Sequence, residues 1–131
     1  MTIEISKLND LPVIVVTHSG VMDPANDIET TLQAVTAFKH ERGGHVYRLI
    51  DLLDFELTFG DMVSSMGFER GREGGADDRD VTSVFLSNAD LAKLGASSLR
   101  DQQQYGQADV HIYNNKEDAL KFIREDIKKR G

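Results

Sequence analysis

This sequence predicts an α/β domain: a mixed, mostly parallel sheet of about five strands with helices packed against it. Three observations point there. Val13-Ile14-Val15-Val16-Thr17 and Val81-Thr82-Ser83-Val84-Phe85-Leu86 are rich in β-branched and aromatic residues, the types that fit a pleated, packed surface. Between such runs lie segments whose apolar residues recur at helical spacing, and strands alternating with helices imply parallel neighbours joined by right-handed crossovers. Lastly, His45-Val46-Tyr47-Arg48-Leu49-Ile50-Asp51-Leu52-Leu53-Asp54 carries a dense apolar run, as expected of a strand covered on both faces. That stretch is predicted to be the central strand. It presents Asp51 and Asp54 at the end where such sheets usually bind ligands.

The elements follow in order. Ile3-Glu4-Ile5 alternates apolar and polar residues like a half-buried strand, and Asn9-Asp10-Leu11-Pro12 reads as a turn leading to an antiparallel partner, Val13–Thr17. Asp23-Pro24 starts a helix, with Asp as cap and Pro at the first helical position, where its missing N–H costs nothing. Ile28, Leu32, Val35 and Phe38 form its apolar stripe, and Gly43-Gly44 stop it before the central strand. Thr58-Phe59-Gly60-Asp61 resembles a capping box opening a short amphipathic helix that carries Phe59, Met62, Val63 and Met66. The charged, Gly-rich segment Glu69–Asp80 has no apolar stripe and is expected to be exposed and mobile. After strand Val81–Leu86, Ser87-Asn88-Ala89-Asp90 starts a helix with Leu91, Leu94 and Leu99 inward. Val110-His111-Ile112-Tyr113 is the last strand. Asn114 is expected to cap a final helix with Ala119, Leu120, Ile123 and Ile127 on one face and Lys128, Lys129 and Arg130 complementing its dipole. The order is β-β-α-β-α-β-α-β-α, compatible with helices on both faces or mainly on one.

Composition narrows the function classes. The chain has 131 residues, 40% hydrophobic and 28% charged, with a formal net charge of -7 and no cysteine. One domain spanning residues 1–131 suits that length. The acidic balance argues against a nucleic-acid or anionic-membrane surface, and without cysteine there is no disulfide or thiolate chemistry. The N-terminus Met1-Thr2-Ile3-Glu4 lacks a basic and apolar leader pattern, and no apolar run approaches a membrane span. A cytoplasmic location is expected.

The element order resembles that of the SpoIIAA-like, or STAS-like, proteins over nearly the whole chain. The resemblance rests on Leu49-Ile50-Asp51-Leu52 closing the third strand before a capped helix, on Val13–Val16 and the long first helix. It continues into the terminal pair Val110-His111-Ile112-Tyr113-Asn114-Asn115-Lys116-Glu117-Asp118-Ala119-Leu120. The family includes anti-anti-sigma factors, in which a Ser or Thr at the start of the helix after this strand is phosphorylated and the unphosphorylated form binds a kinase partner. Here the matching region, Phe55-Glu56-Leu57-Thr58-Phe59-Gly60-Asp61, lacks the Asp-Ser-Ser/Thr-Gly signature. Thr58 is the nearest hydroxyl and precedes the expected place. Other SpoIIAA-like proteins lack the phosphosite and have no assigned activity, and this chain looks closer to them.

Each candidate site has a competing structural role. Asp51 and Asp54 suit a cation or acid/base pair, or else turn formation and solvation. A receiver-like acidic site fails, because the first strand ends in Thr17-His18-Ser19-Gly20. Among His18, His40, His45 and His111 there is no metal spacing. His18 and His111 lie near strand ends and invite convergence, against one local hydrogen bond each. Ser19-Gly20 and Ser64-Ser65 lack a nucleophile elbow, and Gly71-Arg72-Glu73-Gly74-Gly75 is no phosphate loop. Phe59, Met62, Val63 and Met66 suit an adaptable interface or a core-facing stripe, while Phe68 falls off that stripe and marks a partner surface if exposed.

The expectation is a non-enzymatic binding or regulatory domain without cofactor or metal. It would take a protein partner or a small apolar ligand on the surface of Asp51, Asp54, Thr58, Phe59, Met62, Met66 and Phe68. A homodimer is compatible with that surface. The alternatives are a phospho-switch with Thr58 as acceptor, and an enzyme using Asp51, Asp54 and a converging His.

Overall fold

The computed structural model of the chain describes residues 2–21, 23–56, 58–88 and 109–131. Strands β1 (Thr2–Lys7), β2 (Val13–Ser19), β3 (Val46–Asp51), β4 (Val81–Leu86) and β5 (Val110–Tyr113) form one sheet in the order β1-β2-β3-β4-β5. The β1–β2 pair is antiparallel and every later pair is parallel. The mixed five-stranded α/β sheet is therefore as the sequence predicts, with β3 in the middle. Helices α1 (Pro24–Arg42), α2 (Phe59–Glu69) and α3 (Lys116–Arg130) complete the described elements. The helix expected after Ser87 lies outside the described residues.

Side-chain alternation along the strands sorts the core into two layers. Val13, Val15, Tyr47, Leu49, Val84 and Leu86 face Ala119 and Ile123 of α3. Their chain neighbours Ile14, Val46 and Val81 face Val35 and Phe38 of α1, and α2 packs beside α1. Sequential strand order with right-handed crossovers places α1 and α2 on one face. The terminal helix, which connects no strands here, covers the other.

The ends of the helices follow local chemistry, with two shifts from expectation. Asp23 sits at the N-cap of α1, but its side chain makes no cap bond. Its own backbone N–H donates to Asp27 Oδ2 at 2.8 Å, and its carboxylate accepts from Asn26 instead. Asn115, not Asn114, caps α3, accepting from the Asp118 N–H at 2.8 Å. At α2 the capping box forms as expected: Thr58 Oγ1 accepts from Asp61 N–H, and the Asp61 carboxylate accepts from Thr58 N–H.

The Glu69–Asp80 segment departs most from expectation, because it is packed against α1. Gly74, Gly75 and Ala76 are buried. The Thr36 hydroxyl donates to the Glu73 carbonyl, Ala76 N–H donates to Glu69 Oε1, and Asp78 Oδ2 accepts from both Gly74 N–H and Lys39 Nζ. Burial works against ionisation of Asp78, yet these backbone donors and Lys39 hold its carboxyl below the ordinary value. Glycine is what lets the backbone approach so closely. Gly74 has φ of +83°, and a Cβ there would stand 2.8 Å from Thr36 Oγ1 and 3.0 Å from the Leu32 carbonyl oxygen. Gly74→Ala is expected to cost about 1–3 kcal/mol through left-handed strain and crowding. Urea unfolding checks this, and a variant as stable as the parent would refute the packing role.

Candidate functional site

The carboxyl ends of the parallel strands, where α/β sheets usually bind ligands, carry the candidate residues. β3 ends at Asp51, earlier than the predicted run to Asp54, because the Asp51 side chain turns the chain there. Its Oδ1 accepts from the Leu53 N–H at 3.0 Å. Asp54 follows on the exposed turn. Phe55 then bridges back to Gly20 beside β2, and its ring lies 5.7 Å from that of His18.

Register decides whether the carboxylates meet a histidine. Thr17, Asp51 and Leu86 are aligned across β2, β3 and β4, and Leu86 belongs to the α3-facing layer. Asp51 therefore points to the α3 side, whereas His18, one residue beyond Thr17, points to the α1 side. His111 is aligned with Val84 and so lies on the α3 side. There it stacks 4.2 Å from Phe122 and donates through Nε2 to Asp109 Oδ1 at 2.6 Å. The imagined convergence of His18 and His111 does not occur, and neither histidine hydrogen-bonds Asp51. The turn offers instead Thr58, exposed at the N-cap of α2, and Phe68 near the helix end, 44% exposed. The side chains of Phe59, Met62, Val63 and Met66 lie outside the described residues.

Sequence reasoning missed a polar seam between the sheet and the α1–α2 layer. Arg48 sits mid-strand on β3, fully buried. Its Nε donates to Ser83 Oγ and its Nη2 to Glu69 Oε1, each at 2.6 Å. Its guanidinium lies 5.8 Å from the Phe85 ring centre. Nearby on the same layer are His18 and, from α1, Asp27 and Thr31, all at most 2% exposed. Burial pushes the His18 imidazole below its ordinary value, outweighing the opposing pull of Asp27 and Glu69. The seam ends unsatisfied: Arg48 Nη1, His18 Nδ1 and Asp27 Oδ1 are buried without a hydrogen-bond partner. A signal was present in the sequence. An arginine inside a strand covered on both faces must find a partner, because burying a lone charge is prohibitive.

Against known proteins, the chain matches no family model and no curated protein.

A second cluster joins the last turn of α3 to the amino ends of the strands. Thr82 donates to Asp109 Oδ2 at 2.6 Å and accepts from Arg130 Nη2 and from His45 Nε2. Arg130 also bonds Asp109 and Asp126, and the Tyr47 hydroxyl donates to Asp126 at 2.6 Å. The hydrogen bond from His111 holds the Asp109 carboxyl at about 2, against burial and with help from Thr82 and Arg130. Because the single Thr82 proton points to Asp109, His45 acts here as a donor and not as a base. The cluster reads as a clamp for α3. Among the described residues no group of His, Asp or Glu could hold a metal ion, and no helix is long and apolar enough to cross a membrane.

Proposed function

We propose that this chain is a non-enzymatic binding domain of the SpoIIAA-like kind, recognising a protein partner on the surface formed by the turn after β3 and by α2. The observation that carries this reading is Phe68. Strands β2 and β3 and the α1 stripe bury their large apolar side chains, while this phenylalanine stands 44% exposed at the end of α2. Among the described residues it is the one aromatic of the exposed large apolar residues, the others being Ile5 on β1 and Val21. Partly exposed aromatic side chains are favoured anchors in protein interfaces. The non-enzymatic part is supported by the bonding at the strand ends, where neither His18 nor His111 bonds Asp51 and His111 Nε2 is engaged by Asp109. Asp51 and Asp54 then shape and charge the turn beside the partner surface.

A photo-crosslinking amino acid placed at position 68 should capture one saturable partner in cells, whereas the same group at exposed Lys121 on α3 should not. Equal labelling from both positions, or none from position 68, would remove the proposal. A second reading, the phospho-switch, draws on Thr58 being exposed at a helix N-terminus, where phosphate meets the helix dipole. Asp61, three residues on and already bonded to the Thr58 amide, would repel it. Intact-mass analysis decides between them: phosphate that disappears in Thr58→Ala supports the switch.

A further inference from the structure

Among the described residues β1 ends the sheet and pairs with β2 alone. Leu8 N–H donates to the Val13 carbonyl at 3.0 Å, and hydrogen-bonded positions alternate along an antiparallel pair. Counting back along the β1–β2 register, Glu4 and Ser6 bond β2, whereas Ile3, Ile5 and Lys7 aim their N–H and C=O groups outwards. Such a row is a template for a further strand unless charge, proline or a covering segment guards it. β1 has no proline, and its lysine is drawn inwards. Lys7 Nζ bonds Glu41 of α1 at 2.9 Å and lies 5.7 Å from the Phe38 ring centre. Ile3 packs on the Val16, Ile50 and Leu52 cluster. Ile5, on the same face, is left 41% exposed.

We propose that two copies of this chain pair edge to edge through β1, antiparallel about a two-fold axis at Ile5, making one continuous sheet. A two-fold contact joins the same patch on both copies, so the strand must suit itself. Opposed residues must also share a face, which restricts the registers to slips of two residues. With Ile5 opposite Ile5, residues 3–7 overlap completely. Ile3 then meets Lys7 of the second copy, and Glu4 meets Ser6, a hydroxyl donor for its carboxylate. The outward-facing residues exchange about six backbone hydrogen bonds across the axis. Sliding one way sets Glu4 against Glu4, and like charges directly opposed are unfavourable. Sliding the other way carries Ile3 past the strand end and sets Ile5 against Lys7. Overlap, apolar contact and charge therefore select the same register. That self-complementarity identifies the occupant as a second copy.

Sedimentation equilibrium of the full chain should show the mass moving from one chain to two as concentration rises towards millimolar. Ile5→Lys sets two cations on the axis and should stay monomeric throughout, with the circular dichroism of the parent. The chain has no cysteine, so oxidation reads the register. Ile5→Cys should form a covalent dimer across the axis. Ser6→Cys should not, because its two copies stand more than about 7 Å apart, beyond the reach of a disulfide. Phe68→Ser should dimerise like the parent, since the pairing is independent of the partner surface on α2. Four results would each overturn the proposal: a parent that stays monomeric, a dimer that persists in Ile5→Lys, equal crosslinking of the two cysteine variants, or a dimer lost in Phe68→Ser. The last would place the contact on α2.

Discussion

Glu69→Ala is expected to destabilise the protein by about 3–5 kcal/mol, the usual cost of stripping one partner from a buried ion pair. Arg48 is fully buried and the Glu69 side chain is only 13% exposed, so solvent cannot take over the lost interaction. Glu69 also accepts from the Ala76 N–H, so the substitution loosens the 70–80 segment as well. Urea unfolding should show a lower midpoint with a similar slope. The double variant Arg48→Met/Glu69→Leu should recover much of the loss, because an apolar pair of similar volume leaves no stranded charge. A single-variant loss below about 1 kcal/mol would show that the pair is not the buried tie described here.

The second large effect is on acid stability. Asp109 titrates at about 2 in the folded protein, below the ordinary 3.8. A depressed carboxyl contributes stability that is fully present above its unfolded value and is lost as pH falls through its folded value. The window therefore runs from about pH 5 down to about pH 2, and the gap corresponds to at most about 2 kcal/mol, reduced towards about 1 kcal/mol by solvent screening of the partly exposed carboxylate. Asp109→Asn should be less stable than the parent by about that amount at pH 6, with the difference shrinking towards pH 2. Urea midpoints measured across that range test it. A difference independent of pH would mean that the clamp on α3 does not rest on the Asp109 charge.

Much of the fold was legible because each element states its own rule locally. The β-branched run at Val13–Thr17, the stripe of Ile28, Leu32, Val35 and Phe38, and the Thr58–Asp61 box all describe interactions within a few residues of chain. The errors arise where distant partners decide. Glu69–Asp80 looks exposed by composition, yet Lys39, Thr36 and Glu69 supply the bonds that pack it. Asp51 and His18 looked convergent because both end strands, and only the register shows that they face opposite sides. Arg48 lies inside an apolar run, and nothing adjacent to it in sequence neutralises its charge. Its partner Glu69 lies in the following helix, a pairing that no periodicity encodes.

The sequential strand order has a kinetic consequence. No strand must be threaded between two that are already paired, since each new strand adds to the growing edge. Every parallel pairing in the described sheet therefore closes only the crossover just completed, which keeps loop-closure cost low at each step. Assembly can follow synthesis from the β1–β2 hairpin outwards. The α3 face closes after the sheet, because its cover follows β5 in the chain.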